Sequence, residues 1–192
     1  KGSLLGVLDR THTAMGSRKM KQWLKEPLNR VEEITARLDA VESLADNILI
    51  RNHIKDSLKR VYDFYRLSGR IASGNANGKD MIALRNSISV LPDIKDSLSD
   101  LDSGLLEELN RSIDPLTEVF DLIDRAVCED PPFTIKEGGI IKKGYSDELD
   151  ELKDSIYDAQ QWIANLEGSE RERTGIKNLK VGYTKVFGYY LE

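Results

Sequence analysis

The chain has 192 residues, 40% of them hydrophobic, with 33 acidic and 28 basic side chains and a formal net charge of −5. That is enough apolar material to bury a core, which excludes a disordered chain, and no apolar run free of charges is long enough to cross a bilayer. The single cysteine, Cys128, excludes an internal disulfide and fits a reducing compartment, so a cytoplasmic protein with no membrane partner is expected. Charge is uneven along the chain. Acids dominate from Pro92 to Asp130, whereas Lys1 to Arg30 and Arg171 to Glu192 are locally basic, so any nucleic-acid surface belongs to those ends. Lys1-Gly-Ser-Leu-Leu-Gly lacks the features of a signal peptide. With no initiating methionine and an end inside an apparent second strand, the chain reads as an excised fragment.

Taken in order, Asp9 to Arg18 is turn-prone, and Met20, Trp23 and Leu24 then fall at helical spacing before Pro27 stops them. Asn29 with Glu32 resembles a capping box ahead of an apolar seam at Val31, Ile34, Leu38, Val41, Ala45 and Ile48. A third helical stretch is expected to run through Ile50, Ile54, Leu58, Val61, Phe64, Leu67 and Ile71. Gly74 to Gly78 is a turn, and Asn77 caps a fourth helix that buries Met81, Leu84, Ile88 and Leu91. Pro92 restarts a short helix. Asp114-Pro115 signals another, continued by Leu116, Val119, Ile123 and Val127. From Glu129 to Tyr145 two prolines, alternating Phe133 and Ile135, and Gly138-Gly139 indicate an extended segment or tiny hairpin.

Ser146 then caps a long helix whose Leu149, Leu152, Ile156, Ala159, Ile163 and Leu166 keep a heptad spacing. Running to about Arg173, it would be roughly 40 Å long at about 1.5 Å per residue. Leu179 to Leu191 follows as the one convincing strand pair, with Gly188 near its turn. The expected fold is therefore mainly α: an elongated helical domain whose heptad-bearing helix leads into a small β hairpin. No repeat of 20 to 50 residues is present.

Catalytic parts are scarce. Gly139 to Gly144 has the glycine spacing of a phosphate-binding loop, but Tyr145 stands where lysine must reach the phosphates. Gly74 to Lys79 is one residue short, with Asp80 in place of the magnesium-binding hydroxyl. His12 and His53 have no ligand at zinc spacing. Asp147, Glu148, Asp150 and Glu151 read as a solvated face at a helix start, and Trp23 and Trp162 as packing residues. The basic end is different. Arg171, Arg173, Lys177, Lys180 and Lys185 interleave with Tyr183, Phe187, Tyr189 and Tyr190, a composition suited to salt-dependent contact with a nucleic-acid backbone or to a plain solvated edge.

Asp9-Arg-Thr-His-Thr-Ala-Met-Gly-Ser-Arg, Trp23-Leu-Lys-Glu-Pro-Leu28, Arg37-Leu-Asp-Ala-Val41, Asp130-Pro-Pro, Glu137-Gly-Gly, Gly144 to Leu152 and Glu170 to Tyr190 together resemble, in order along the chain, the bacterial MutS family of DNA mismatch-recognition proteins. The resemblance implies that residues 1–170 are the first part of a helical core and lever domain and that residues 171–192 begin a truncated clamp domain. It implies a parent that is a homodimeric, DNA-dependent ATPase using ATP and magnesium, acting on mismatched double-stranded DNA with MutL as partner. No cofactor, metal or catalysis is expected of this stretch itself. The family's clamp touches the DNA backbone at positions matching Thr184, Lys185 and Val186, with Arg171, Arg173, Lys177 and Lys180 as auxiliary basic contacts. Thr184 stands where the family commonly has asparagine, and Tyr62 and Tyr65 occupy a usually aliphatic stretch. Two other functions stay open: a helical protein-interaction scaffold whose acidic middle docks a basic partner, and a MutS-like paralogue acting in recombination.

Overall fold

The structure, a computed structural model, describes residues 2–192 and divides into two compact units, Lys1–Lys142 and Lys143–Glu192. The first is built from helices: α1 (Leu4–Leu8), α2 (Ala14–Lys25), α3 (Val31–Asp46), α4 (Ile48–Lys59), α5 (Phe64–Ala72), α6 (Gly78–Ile88), α7 (Leu91–Ser99), α8 (Gly104–Ser112) and α9 (Thr117–Ala126), followed by a 3₁₀ turn at Ile135–Glu137. The second holds α10 (Asp147–Thr174) and the antiparallel pair β1 (Val181–Thr184) and β2 (Gly188–Leu191). The mainly helical class with a terminal hairpin is what the sequence predicts.

The opening motif is a structural knot. Asp9 accepts hydrogen bonds from the Ser17 and Thr11 hydroxyls, each at 2.6 Å, and from the Thr11 amide at 3.1 Å. Thr13 caps α2 by accepting from the Gly16 amide at 2.9 Å. The site is tight, because a Cβ on Gly16 would lie 3.1 Å from both Thr11 Cβ and Thr13 Oγ1 and both threonines would have to yield. Arg18, one turn on, makes a two-point ion pair with Asp63.

Two buried clusters hold the first unit. The larger joins Ala40 of α3, Val90, Ile94, Leu98 and Leu101 around α7, and Leu106 of α8, with Ile54 and Leu58 of α4 packed against it. The smaller joins Ile123, Ala126 and Val127 to Met81, Leu84 and Ile140. An antiparallel bridge at Val127 and Ile141 closes it, with Cys128 N–H donating to Ile140 O and Lys142 N–H to Ala126 O, each at 2.9 Å. Arg85 ties the same corner together through Asp124 at 2.9 Å and Glu129 at 2.7 Å, and it holds the Glu129 carboxyl down to about 2.

Several local expectations are corrected. The stretch from Ile50 to Ile71 is two helices: Asp63 caps α5 by accepting from Arg66 N–H, and Tyr62 N–H donates to the buried Ser87 hydroxyl at 2.9 Å. These two bonds satisfy backbone groups that a continuous helix would have used itself. The start of α3 is Arg30, without a side-chain cap, instead of Asn29. The seam from Val31 to Ile48 does not face the core. Val31, Leu38, Val41 and Ile48 are exposed, and α3 packs through small Ala40 and through Leu44. Asp114 does not start α9, because its carboxylate accepts from Leu116 N–H at 2.9 Å and Leu116 takes a left-handed φ of 51°, which delays the helix to Thr117. Trp23 lies under the Arg37 guanidinium, 3.9 Å from its ring centroid, and Trp162 is exposed. Neither is a core residue. Among the described residues, no helix is long and apolar enough to cross a membrane.

Candidate nucleic-acid interface

The basic end of the chain is positioned by α10. Ser146 begins it by accepting from Leu149 N–H at 3.3 Å, and Asp147, Glu148 and Asp150 complement the positive end of its dipole. Its 28 residues extend about 42 Å at about 1.5 Å per residue. None is buried, and of the heptad seam Leu152 is 56% and Ile156 59% exposed, with Ile163 half-buried. Gly175 stops it with φ of 76°, its N–H donating to Arg171 O at 2.9 Å.

Arg171 then joins helix to hairpin. Its Nε donates to Leu179 O at 2.7 Å, while Nη2 lies 2.6 Å from Glu167 Oε1, and the second oxygen of Glu167 accepts from Val181 N–H at 3.3 Å. Arg173 pairs with Glu170 at 2.5 Å and holds that carboxyl below its usual range. The charges of both arginines are therefore matched on α10 itself. Lys177 lies exposed in the loop and Lys180 at the base of the hairpin, where its backbone exchanges two hydrogen bonds with Glu192 at 2.7 and 2.9 Å.

The strands pair as Val181 with Leu191, Gly182 with Tyr190, Tyr183 with Tyr189, and Thr184 with Gly188. The rings of Tyr183 and Tyr189 meet at 5.0 Å between centroids. Tyr190 lies across Gly182 so closely that a Cβ there would be 2.5 Å from its Cζ. At the apex, Lys185, Val186 and Phe187 form the loop. Phe187 N–H donates to Thr184 Oγ1 at 3.1 Å, and Gly188 closes the turn at φ of 74°. The structure thus brings Thr184, Lys185 and Val186 together at the apex, with Lys185 and Val186 in solvent. Lys180 sits about 17 Å back along the strand at about 3.3 Å per residue.

What this arrangement offers chemically is a cationic, hydroxyl-bearing tip on a long helix. Sequence reasoning missed Glu167, although its place four residues before Arg171 on a helix was the available signal. It also missed Tyr190 as the cover for Gly182. Elsewhere, a cleft of about 480 Å³ between α4 and α7 is lined by Leu49, His53, Asp93, Asp96 and Asp100, the acidic face noted from composition.

The chain matches the family described as MutS domain III over residues 1–178. Over all 192 residues it is 50% identical to the DNA mismatch repair protein MutS of Alkaliphilus oremlandii, and 48% identical to the proteins of that name from Acetivibrio thermocellus and Halothermothrix orenii. The alignments take in the whole of this chain but only 22%, 22% and 21% of those relatives.

Proposed function

The chain belongs to the MutS domain III family, and on that footing we propose that it is the arm of a mismatch-repair protein that carries a DNA-gripping hairpin. Residues 1–170 are the first part of the core and lever, and residues 171–192 open the clamp. The observation that carries this reading is the continuity of a 28-residue helix with a hairpin whose apex presents Lys185 to solvent. The parent is read as a homodimeric ATPase, using ATP and magnesium bound outside this chain and working with MutL. Its nucleotide state moves the arm, and the apex holds double-stranded DNA without reading sequence.

Two apex residues supply the polar contacts, and Val186 lies against the DNA backbone beside them. Lys185 neutralises a phosphate, and the Thr184 hydroxyl, whose oxygen already accepts from Phe187, keeps its proton to donate to a phosphate oxygen. Lys177 and Lys180 add to the field at the base, whereas Arg171 acts through the joint and Arg173 is matched by Glu170 on α10. The bare seam of α10 is covered by a second helix in the parent, since leaving it wet forgoes about 1.5 to 3 kcal/mol for each large side chain.

The test is the salt dependence of duplex binding by the full-length protein. Lys185→Ala should lower affinity and reduce the slope of log K against log salt by about 1. Unchanged affinity and slope would sink the gripping role.

A second reading, a docking surface for a basic protein segment, is favoured by Asp93 and Asp96 on α7 and Asp100 at its C-cap, beside exposed Leu49. Reversing the charges of Asp93, Asp96 and Asp100 without loss of any partner in a pull-down would count against it.

A further inference from the structure

Hairpin turns are ordinarily built from glycine, proline, asparagine, aspartate and serine, because the apex faces water. Here the apex carries Val186, 82% exposed, and Phe187, 83% exposed. The backbone beneath them is fixed by the Phe187 to Thr184 hydrogen bond and by the left-handed Gly188. Tyr183 and Tyr189 pair with each other, and among the described residues Phe187 has no ring contact. A local choice that breaks the surface rule, on a backbone held in one conformation, marks a contact surface.

The chemistry of the surroundings says what is contacted. From Gly175 onward the charged residues are Lys177, Lys180, Lys185 and the terminal Glu192, a cationic excess that fits a polyanion. A duplex offers phosphates for lysine and, on the walls of its grooves, sugar and base edges against which proteins lay apolar side chains.

We infer that Phe187, supported by Val186, lies against the groove wall of duplex DNA and supplies the salt-insensitive part of the grip, while Lys185 supplies the salt-sensitive part. This rests on the DNA-gripping reading above. Phe187 is a positioning contact: it reads no base pair, and it slows release once the phosphate contact has formed.

The experiment follows homoduplex binding by the full-length protein with fluorescence anisotropy between about 50 and 300 mM salt. Phe187→Ala should weaken binding by about tenfold at every salt concentration, through faster dissociation, with the slope of log K against log salt unchanged. Phe187→Leu should recover most of the loss, because the contact needs apolar area and not a ring. A Phe187→Ala protein that binds as wild type, or whose slope changes in place of its intercept, overturns the inference. A normal Lys185→Ala effect beside a silent Phe187→Ala sinks only this inference, whereas silence of both sinks the gripping reading with it. Vesicles of anionic phosphatidylglycerol form the other arm: Phe187-dependent vesicle binding with Phe187-independent DNA binding overturns the assignment to DNA. Circular dichroism of each variant should match wild type, as expected for a side chain in solvent.

Discussion

Arg18 grips Asp63 at two points, Nη1 to Oδ2 at 2.7 Å and Nη2 to Oδ1 at 2.8 Å, and the same carboxylate caps α5 through Arg66 N–H. One side chain thus fixes both the entry to α5 and the docking of α2. The guanidinium holds the Asp63 carboxyl down to about 2. Because the folded-state value lies below the unfolded one, the contribution is complete above about pH 4 and is lost as the pH falls through about 2. Thermal melts followed by circular dichroism should therefore show wild type losing its advantage over Asp63→Asn as the pH drops from 4 to 2. Parallel curves for the two proteins across that window would refute the assignment.

Ser87 is wholly buried, donating to Ala83 O at 2.7 Å and accepting from Tyr62 N–H. Ser87→Ala removes the acceptor and strands that amide at the break between α4 and α5. A loss of about 1 to 3 kcal/mol is expected from denaturant unfolding, and hydrogen exchange at Tyr62 should rise with it.

Two glycines should respond in opposite directions. A Cβ on Gly78 would sit 2.6 Å from Pro131 Cβ and 2.9 Å from its Cγ, so Gly78→Ala forces the 131 loop off α6 and should cost about 1 to 3 kcal/mol. Gly69, inside α5, has open space around it, and Gly69→Ala should stabilise by about 0.5 to 1 kcal/mol. Equal changes in midpoint for the two would contradict the packing described.

Arg171 and Lys185 should separate cleanly. Arg171→Ala breaks the joint to Leu179 and Glu167, so amide exchange at Val181 should quicken while the salt slope of DNA binding stays unaltered. A reduced slope in Arg171→Ala would place that charge on the phosphates instead.

Much of this was legible where local chemistry dominates. Ser146 and Asn77 announce their helices because a short polar side chain ahead of an apolar repeat has one strong use. The heptad of α10 and the alternation at Leu179, Val181 and Tyr183, with Gly188 near the turn, marked the helix and the hairpin for the same reason. Tertiary choices were not legible. Periodicity marks an apolar stripe on α3 without telling that Ala40, being small, lets the opposite side approach α8. The break before Asp63 depends on Ser87 and Arg18, 24 and 45 positions away in sequence, and α8 is a nine-residue helix whose N-cap Ser103 makes no capping hydrogen bond, so it carries only a short apolar pattern. At the site, composition placed arginines and lysines in one pool. Only geometry shows that Glu167 holds Arg171 in the joint and that Glu170 pairs with Arg173 along α10.

The ring of Tyr190 over Gly182 has a mechanical consequence. A slip of one residue would set that ring against the side chain of Val181 or Tyr183 and turn every strand residue to the other face. The ribbon therefore has a single tooth and notch. Load applied at the apex therefore passes into Arg171 and α10 with the strand register held.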